Sequence, residues 1–356
     1  MKAFFPREIL PLLLFAILCG CAKSEGVPSS LGGIVAPDHL PDTSFAAVLA
    51  GLDLEDPTFQ LSYKDSGTSL GLKIKRDGKP VGKWLPKNEA ADPEAQVVSY
   101  YLGEFLGMPE LVIPAGYHTV HGRALGEFHR MLLGARERIE LRGRNQVALL
   151  RAIERNPRGM EGVFTQPYDS FELPTLIDTN GYHGLGTLRQ DTPIARLLHA
   201  ENAMPSTERE LDLGARKKNG LKPANNELVL ARELSKVMVL DVLCGQFDRF
   251  SGGNLEGTVG ADGKLHFIAR DNGGAGLAPG SGSPEQYFEL VSRFDREQIR
   301  RVRRLNLELA RNSADLAARL HIRSNPETFI SRVNALLAHV DRQVRAYGEA
   351  RVFFSE

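Results

Sequence analysis

Two acids and an amide, Asp248, Asn254 and Asp271, stand in one glycine-rich stretch of the chain. Asp248 follows the apolar run L-D-V-L-C-G-Q-F, and Asn254 comes just after S-G-G. Asp271 ends the run H-F-I-A-R and opens D-N-G-G-A-G. A loop carboxylate can orient a hydroxyl nucleophile. A second carboxylate and an amide oxygen can hold a divalent cation on phosphate oxygens. These are the parts phosphoryl transfer needs. Singly, Asp and Asn are ordinary turn residues. The combination of an apolar helix, D-R, an amide, a hairpin and D-N-G is what points to chemistry.

The elements that must position these groups can be read around them. Residues 226–246 form a strongly apolar helix that ends near Gly245, so Asp248 falls on a loop, where catalytic groups usually stand. Asn254 opens a strand, G-A-D-G-K makes a turn, and 266–269 returns as a second strand. Asn272-Gly273-Gly274 then lets the backbone turn sharply behind Asp271.

Upstream, 59–63 and 70–75 alternate as strands around Asp65-Ser66-Gly67-Thr68-Ser69, and Asp77-Gly78 marks a hairpin turn into a strand over 81–85. A helix is expected from an Asp92 N-cap and Pro93 to a Gly107 C-cap. A strand over 111–117, charge-rich helix over 124–157 and a strand over 162–166 follow. Residues 169–225 read as loops with short helices, and the tail from about Pro284 to Gly348 as helix throughout. Strands first and helices later predict an α+β chain with a small sheet-rich lobe and a larger helical one.

The runs D-x-L-x-G-x-x-D-R at Asp241–Arg249 and F-x-x-x-D-N-G-x-x-G at Phe267–Gly276 resemble the catalytic core of atypical kinases. The nearest likeness is to secretory-pathway protein kinases of the Golgi casein-kinase type. More loosely, the chain is similar to phosphatidylinositol 3-/4-kinases, actin-fragmin kinase and bacterial toxin kinases. The resemblance implies a two-lobed protein-kinase-like fold. It also implies that ATP is the phosphoryl donor, that magnesium or manganese assists, and that the acceptor is an unidentified hydroxyl. It makes Asp248 the catalytic acid, and Asp271 and Asn254 the metal ligands; Asp241 reads as structural. Phe250 stands where these families commonly place His, Gln246 where Asn is common, and Asn254 one residue later than in the lipid kinases.

The first half must then supply the phosphate clamp. Gly67 sits in a small loop between strands that can fold over phosphates through backbone N–H groups, or be a plain hairpin turn. Val81, Lys83 and Leu85 share a strand face opposite Trp84, so Lys83 resembles the phosphate-binding lysine of kinases, with Lys87 as the fallback. Its partner on the next helix should be an acid, yet fitting Tyr100–Gly107 to the family pattern puts Gln96 there, with Glu94 half a turn earlier. A hinge strand over Gly162–Tyr168, including Phe164, could offer backbone groups to adenine. Gln96 and Phe250 leave a rival open: a catalytically inactive pseudokinase that binds a ligand or partner protein.

At 356 residues, with 44 Lys+Arg against 44 Asp+Glu, the chain has ample core and no charge case for a nucleic-acid partner. Lys2 and Arg7 precede the short apolar run Ile9–Leu18, which ends in Leu18-Cys19-Gly20-Cys21. This resembles a bacterial lipoprotein signal, implying cleavage before Cys21 and lipidation of its thiol, with Ala22 favouring the outer membrane. A membrane anchor in the cell envelope, on the periplasmic face or cell surface, is therefore expected. ATP is not abundant there, which allows another donor or loss of catalysis. The expected organisation is a signal peptide over 1–20, a flexible tether over 21–45, an N-lobe with a helical insertion over 46–168, and a helical C-lobe over 169–356 carrying the catalytic and metal-binding loops. Cys244 would be the one remaining thiol, read as a small buried hydrophobe. Gly78–Trp84 fails as a Walker loop, His118, His121 and His129 lack a completing zinc ligand, and no G-x-S-x-G elbow occurs.

Overall fold

In the computed structural model the chain is described over residues 43–64, 69–87, 93–178, 186–215, 220, 222–251, 253–274, 285–323 and 325–355. The expected signal peptide, most of the tether, Cys21, Gly67 and the Asp92 cap lie outside the described residues. The last residues of the expected tether already belong to helix α1, Thr43–Ala50, whose Phe45 is buried.

The first lobe is a five-stranded antiparallel sheet. Its strands are β1 (Phe59–Tyr63), β2 (Leu72–Arg76), β3 (Lys79–Pro86), β4 (Ala115–Val120) and β5 (Met160–Thr165). Their order is β1-β2-β3-β5-β4. The Asp77-Gly78 turn sets the β2–β3 register, with φ of 50° and 76° at its two residues, the left-handed pair a two-residue hairpin needs. Helix α2 (Pro93–Leu106) follows, ending at Gly107 with φ 71°. The strand expected over 111–117 begins instead at Ala115: a 3-10 turn occupies Pro109–Leu111, and Pro114 lacks the N–H a ladder requires. The helical insertion is two helices, α3 (Gly122–Gly134) and α4 (Glu140–Arg155), separated by extended backbone at Ala135.

Between residues 169 and 225 short pieces of strand join the expected loops: β6 (Ile177–Asp178) with β7 (Thr187–Leu188), and β8 (Glu210–Leu211) with β9 (Asn225–Asn226). A short helix, α5 (Pro193–Leu197), lies between the pairs. Helix α6 (Glu227–Cys244) is the spine of the second lobe, apolar nearly all round and buried from Val237 to Cys244. Asn226 caps it by accepting from the Leu228 N–H. The hairpin β10 (Leu255–Val259) and β11 (Leu265–Ala269) follows.

The tail is not helical throughout. After α7 (Glu285–Phe288) a turn and a non-helical stretch lead to Asp295, which caps α8 (Arg296–Arg319) by accepting from Gln298 N–H at 2.7 Å. Left-handed residues His321 and Asn325, followed by Pro326, separate α8 from α9 (Pro326–Tyr347), and α10 (Glu349–Val352) closes the chain. Among the described residues no helix is long and apolar enough to cross a membrane.

Candidate active site

The loop carrying Asp248 is fixed by its neighbour. Gly245 ends α6 in the left-handed region (φ 70°), and Arg332 fills the space a Cβ there would need. Four residues on, the wholly buried Arg249 uses all five N–H donors. Nε and Nη2 clasp the Asp241 carboxylate at 2.9 and 2.7 Å. Nη1 donates to the carbonyls of Asn254 (2.5 Å) and Arg270 (2.7 Å), and Nη2 also to Asn272 Oδ1 (2.5 Å). One side chain thus ties the end of α6, the 248–254 loop and the 270–272 turn together. Asp241 is the buried counter-charge that makes this possible; burial pushes its carboxyl up and Arg249 pulls it back.

Within this frame Asp248 is half-buried, and its Oδ1 is enclosed with no hydrogen-bond partner among the described residues. Burial raises its carboxyl above the usual range; Arg249 opposes the rise, and nearby Asp271 adds to it. Asn254 Nδ2 donates to the Asp248 carbonyl at 2.9 Å, which turns the amide nitrogen into the loop and leaves the oxygen end for another contact. The β10–β11 register places Asn254 beside Arg270, whose N–H donates to the Asn254 carbonyl at 2.8 Å. Asp271 is exposed, with φ 46°, a conformation Asp tolerates and one that often marks working sites. Gln246 Nε2 holds its carbonyl at 3.2 Å. An enclosed carboxylate oxygen, a neighbouring exposed carboxylate and an oriented amide suit a hard cation completed by phosphate oxygens. Among the described residues no group of three His, Cys, Asp or Glu could hold a metal unaided.

The sheet presents cations to this loop. Lys83 is half-buried on β3, and burial lowers its ammonium. Arg270 and Lys73 lower it further, while Asp271 and Glu256 raise it, so Lys83 lies within electrostatic reach of Asp271 in the D-N-G turn. Two cations missed by sequence reasoning share the face. Lys73 is the direct cross-strand partner of Lys83. Lys64, two residues past Ser62, the β1 partner of Lys73, donates through Nζ to the Ser69 carbonyl at 3.1 Å. Burial brings Lys64 down to about 8, with Asp271 opposing. The alternation of Lys on strands flanking a glycine loop was the available signal, but which lysines share a face depends on register.

Other expected residues are placed elsewhere. Lys87 is exposed and lines a hollow with Glu94, Tyr117, Glu161 and Arg323. Glu94 is buried and accepts from the Arg323 N–H at 2.6 Å. Gln96 is buried in α2. The expectation for Phe164 is corrected: it is fully buried in β5, stacked on Phe45 and paired with strands on both sides, Trp84 and Gly116. A central strand has no open edge to offer adenine. The connection between lobes runs just beyond it, where Gln166 N–H donates to Pro114 and Phe171 exchanges two 2.8 Å backbone bonds with Gly257. Cys244 is buried, accepts from Ser99 Oγ at 3.3 Å, and has its thiol pushed up to about 12 by burial, as befits a core thiol.

This arrangement of sheet, spine helix and acidic hairpin matches solved structures. The Golgi casein kinase with Mn/ADP bound superposes with a TM-score of 0.55 at 12% identity, covering 88% of this chain and 80% of that one. The fold is that of a Fam20-like kinase. A second structure of the Golgi casein kinase gives 0.56 at 12% identity (88% and 79% covered). Hydra Fam20 with sugar gives 0.53 at 12% (88% and 93% covered). No protein-family model and no curated protein matches the chain by sequence. At this identity the likeness shows a two-lobed kinase-like fold and no more.

Proposed function

We propose that the chain is a lipid-anchored, kinase-like phosphotransferase that moves the γ-phosphoryl group of ATP to a hydroxyl acceptor with magnesium or manganese. The observation that carries this is the enclosed Oδ1 of Asp248, without a hydrogen-bond partner among the described residues and beside Asp271, which in turn lies within electrostatic reach of Lys83. Asp248 accepts the hydrogen bond of the acceptor hydroxyl and points its lone pair at the phosphorus. Asp271 and the Asn254 oxygen hold the metal, and Lys83 binds donor phosphates. A bound divalent ion neutralises charge on the transferring phosphoryl oxygens. The Mn/ADP of the Golgi casein kinase supports a nucleotide and a divalent metal in this fold. Lipidation at Cys21 would hold the domain at the envelope membrane; Cys21→Ser would release it from the membrane fraction.

The test is a thermal-shift titration of the full chain with ATP, with magnesium, manganese or neither, on wild type and Asp271→Ala. A metal-dependent rise in melting temperature, lost in the variant, supports the nucleotide site. No shift with either metal sinks it. One set of observations favours the rival pseudokinase: a buried Gln96 stands where the family acid belongs, and Glu94 is engaged by the Arg323 backbone. ATP binding without phosphate transfer to any hydroxyl, or to water, would select that reading.

A further inference from the structure

Thirteen arginines and no lysine lie between residues 285 and 356. Four of them line one hollow of about 360 Å³ between the first turns of α8 and the last turns of α9. Arg296, Arg300 and Arg303 are spaced four and three residues apart, which sets them along one face of α8, and Arg345 lines the hollow from α9. The floor is apolar: Ile299 and Phe353 are buried there and Val344 is half-buried. Phe353 is held because the chain end pairs with the segment before α8. Phe294 N–H donates to the Val352 carbonyl at 2.8 Å, and Phe354 N–H to the Phe294 carbonyl at 3.1 Å. The Arg296 guanidinium lies over the Phe353 ring, 4.5 Å from its centroid. Two carboxylates line the same hollow and both are engaged, Glu349 by Arg296 at 2.9 Å and Asp341 by Arg303 at 2.6 Å. These pairs are half-exposed, so they are weak and open to exchange. Arg300 reaches only Glu297, on its own helix and outside the lining. Arg345 has no hydrogen bond or ion pair among the described residues.

The hollow stands apart from the candidate active site. Arg232 bonds Asp295 at the head of α8, and about 20 Å of α6 separates Arg232 from Gly245. A guanidinium fork matches a carboxylate through two parallel N–H···O bonds, which an ammonium cannot do. A bare anion would leave the apolar floor uncovered, whereas a polypeptide brings both carboxylates and apolar side chains. The positive charge is local, since 44 basic residues balance 44 acidic ones over the whole chain. We propose that this groove docks an acidic peptide segment of a partner protein. Its carboxylates sit on Arg300 and Arg345, and an apolar side chain between them covers Ile299, Val344 and Phe353. The docking site needs neither nucleotide nor metal, and it stands whether or not the chain transfers phosphate.

The probe is a fluorescein-labelled copolymer of glutamate and tyrosine, titrated against the full chain by fluorescence anisotropy, with labelled poly-L-glutamate in parallel. Arg300→Glu and Arg345→Glu should each weaken copolymer binding about tenfold, because a like charge then meets the ligand. Val344→Ser should weaken the copolymer about threefold and leave poly-L-glutamate unchanged, since only the copolymer brings an apolar side chain to the floor. Arg311→Glu, exposed on α8 outside the groove, should match wild type. Unfolding curves show whether any loss reflects misfolding. Arg345→Lys, which keeps the charge and loses the fork, keeps the test live and should fall between wild type and Arg345→Glu. Copolymer binding within about twofold of wild type in both groove Glu variants overturns the docking site. So does an equal loss in Arg311→Glu, which would mark non-specific charge attraction. Phosphatidylglycerol vesicles that bind through Arg300 and Arg345, with no copolymer bound, would make the groove a membrane-facing surface and overturn peptide docking. A dimer in sedimentation that Arg345→Glu disperses would make the occupant a second copy of the chain, with the same consequence.

Discussion

The two sides of the candidate site are built by opposite means. On the helical side, Arg249 satisfies every one of its donors on groups from residues 241, 254, 270 and 272, so the acidic loops are bolted to one another within a single stretch of chain. On the sheet side, Lys64, Lys73 and Lys83 owe their meeting to strand register and to packing behind the sheet, and their charges oppose it. Stability and affinity should therefore separate under mutation.

Breaking the bolt should have the largest effect. Arg249→Met leaves Asp241 buried without its counter-charge and takes a donor from three oxygens, of which the Asn254 carbonyl keeps the Arg270 N–H. Removing one partner of a buried pair costs about 3–5 kcal/mol. Urea unfolding of the variant should show a loss in that range, and the metal-dependent response to ATP should vanish with it. A loss below about 1 kcal/mol would mean that the 248–272 loops are held by the hairpin alone.

The same contrast explains what could be read from the chain beforehand. Asp241, Asp248, Arg249, Asn254 and Asp271 fall within one run, and a helix, a loop and a hairpin bring them together through local geometry. Periodicity and turn residues suffice for that, and the two-lobed order of elements follows from the same signals. The lysine face was only partly legible. Lys83 has the right strand parity, but Lys64 and Lys73 join it through pairings across two hairpins, and a register shift of one residue would turn them away. Phe164 was misplaced for a related reason. Its run reads as a strand, yet only the β3-β5-β4 order shows that the strand is central and closed on both edges. The breaks in the tail turned on single left-handed residues, His321 and Asn325, which periodicity does not register.

The packing behind the lysines can be tested separately from their charge. Gly82 sits one residue before Lys83, and a Cβ there would come within 2.3 Å of the Phe164 ring and 2.5 Å of the Thr165 carbonyl. Gly82→Ala must therefore push β3 away from β5, and overpacking of this kind costs about 1–3 kcal/mol. Calorimetric unfolding should show that loss, and affinity for ATP with divalent metal should fall with it, although no charge has changed. Unchanged affinity in a destabilised variant would show that the lysines keep their places without help from the β3–β5 seam.

The smallest effect is the most telling about the sheet side, because its sign is opposite. Lys64 titrates at about 8 in the folded chain, well below its ordinary 10.5, because burial strips water from the ammonium. Lys83, Arg142 and Lys73 press in the same direction, and Asp271 presses against them. Between those two values the unfolded chain binds more protons than the folded one, so this group adds stability as pH rises from about 8 toward 10.5. Below about 8 both states are charged and the folded one bears the burial penalty in full. Lys64→Met removes that penalty while keeping a side chain of similar length. The variant should match or exceed wild type at pH 7 by up to about 1 kcal/mol, a figure reduced for solvent screening of a half-exposed group. Chemical denaturation at pH 7, 8, 9 and 10 should then show the difference shrinking as wild-type Lys64 loses its proton. A variant less stable than wild type at pH 7, with a gap that does not change with pH, would make Lys64 a strut of the sheet and not a charge carried at a cost in stability.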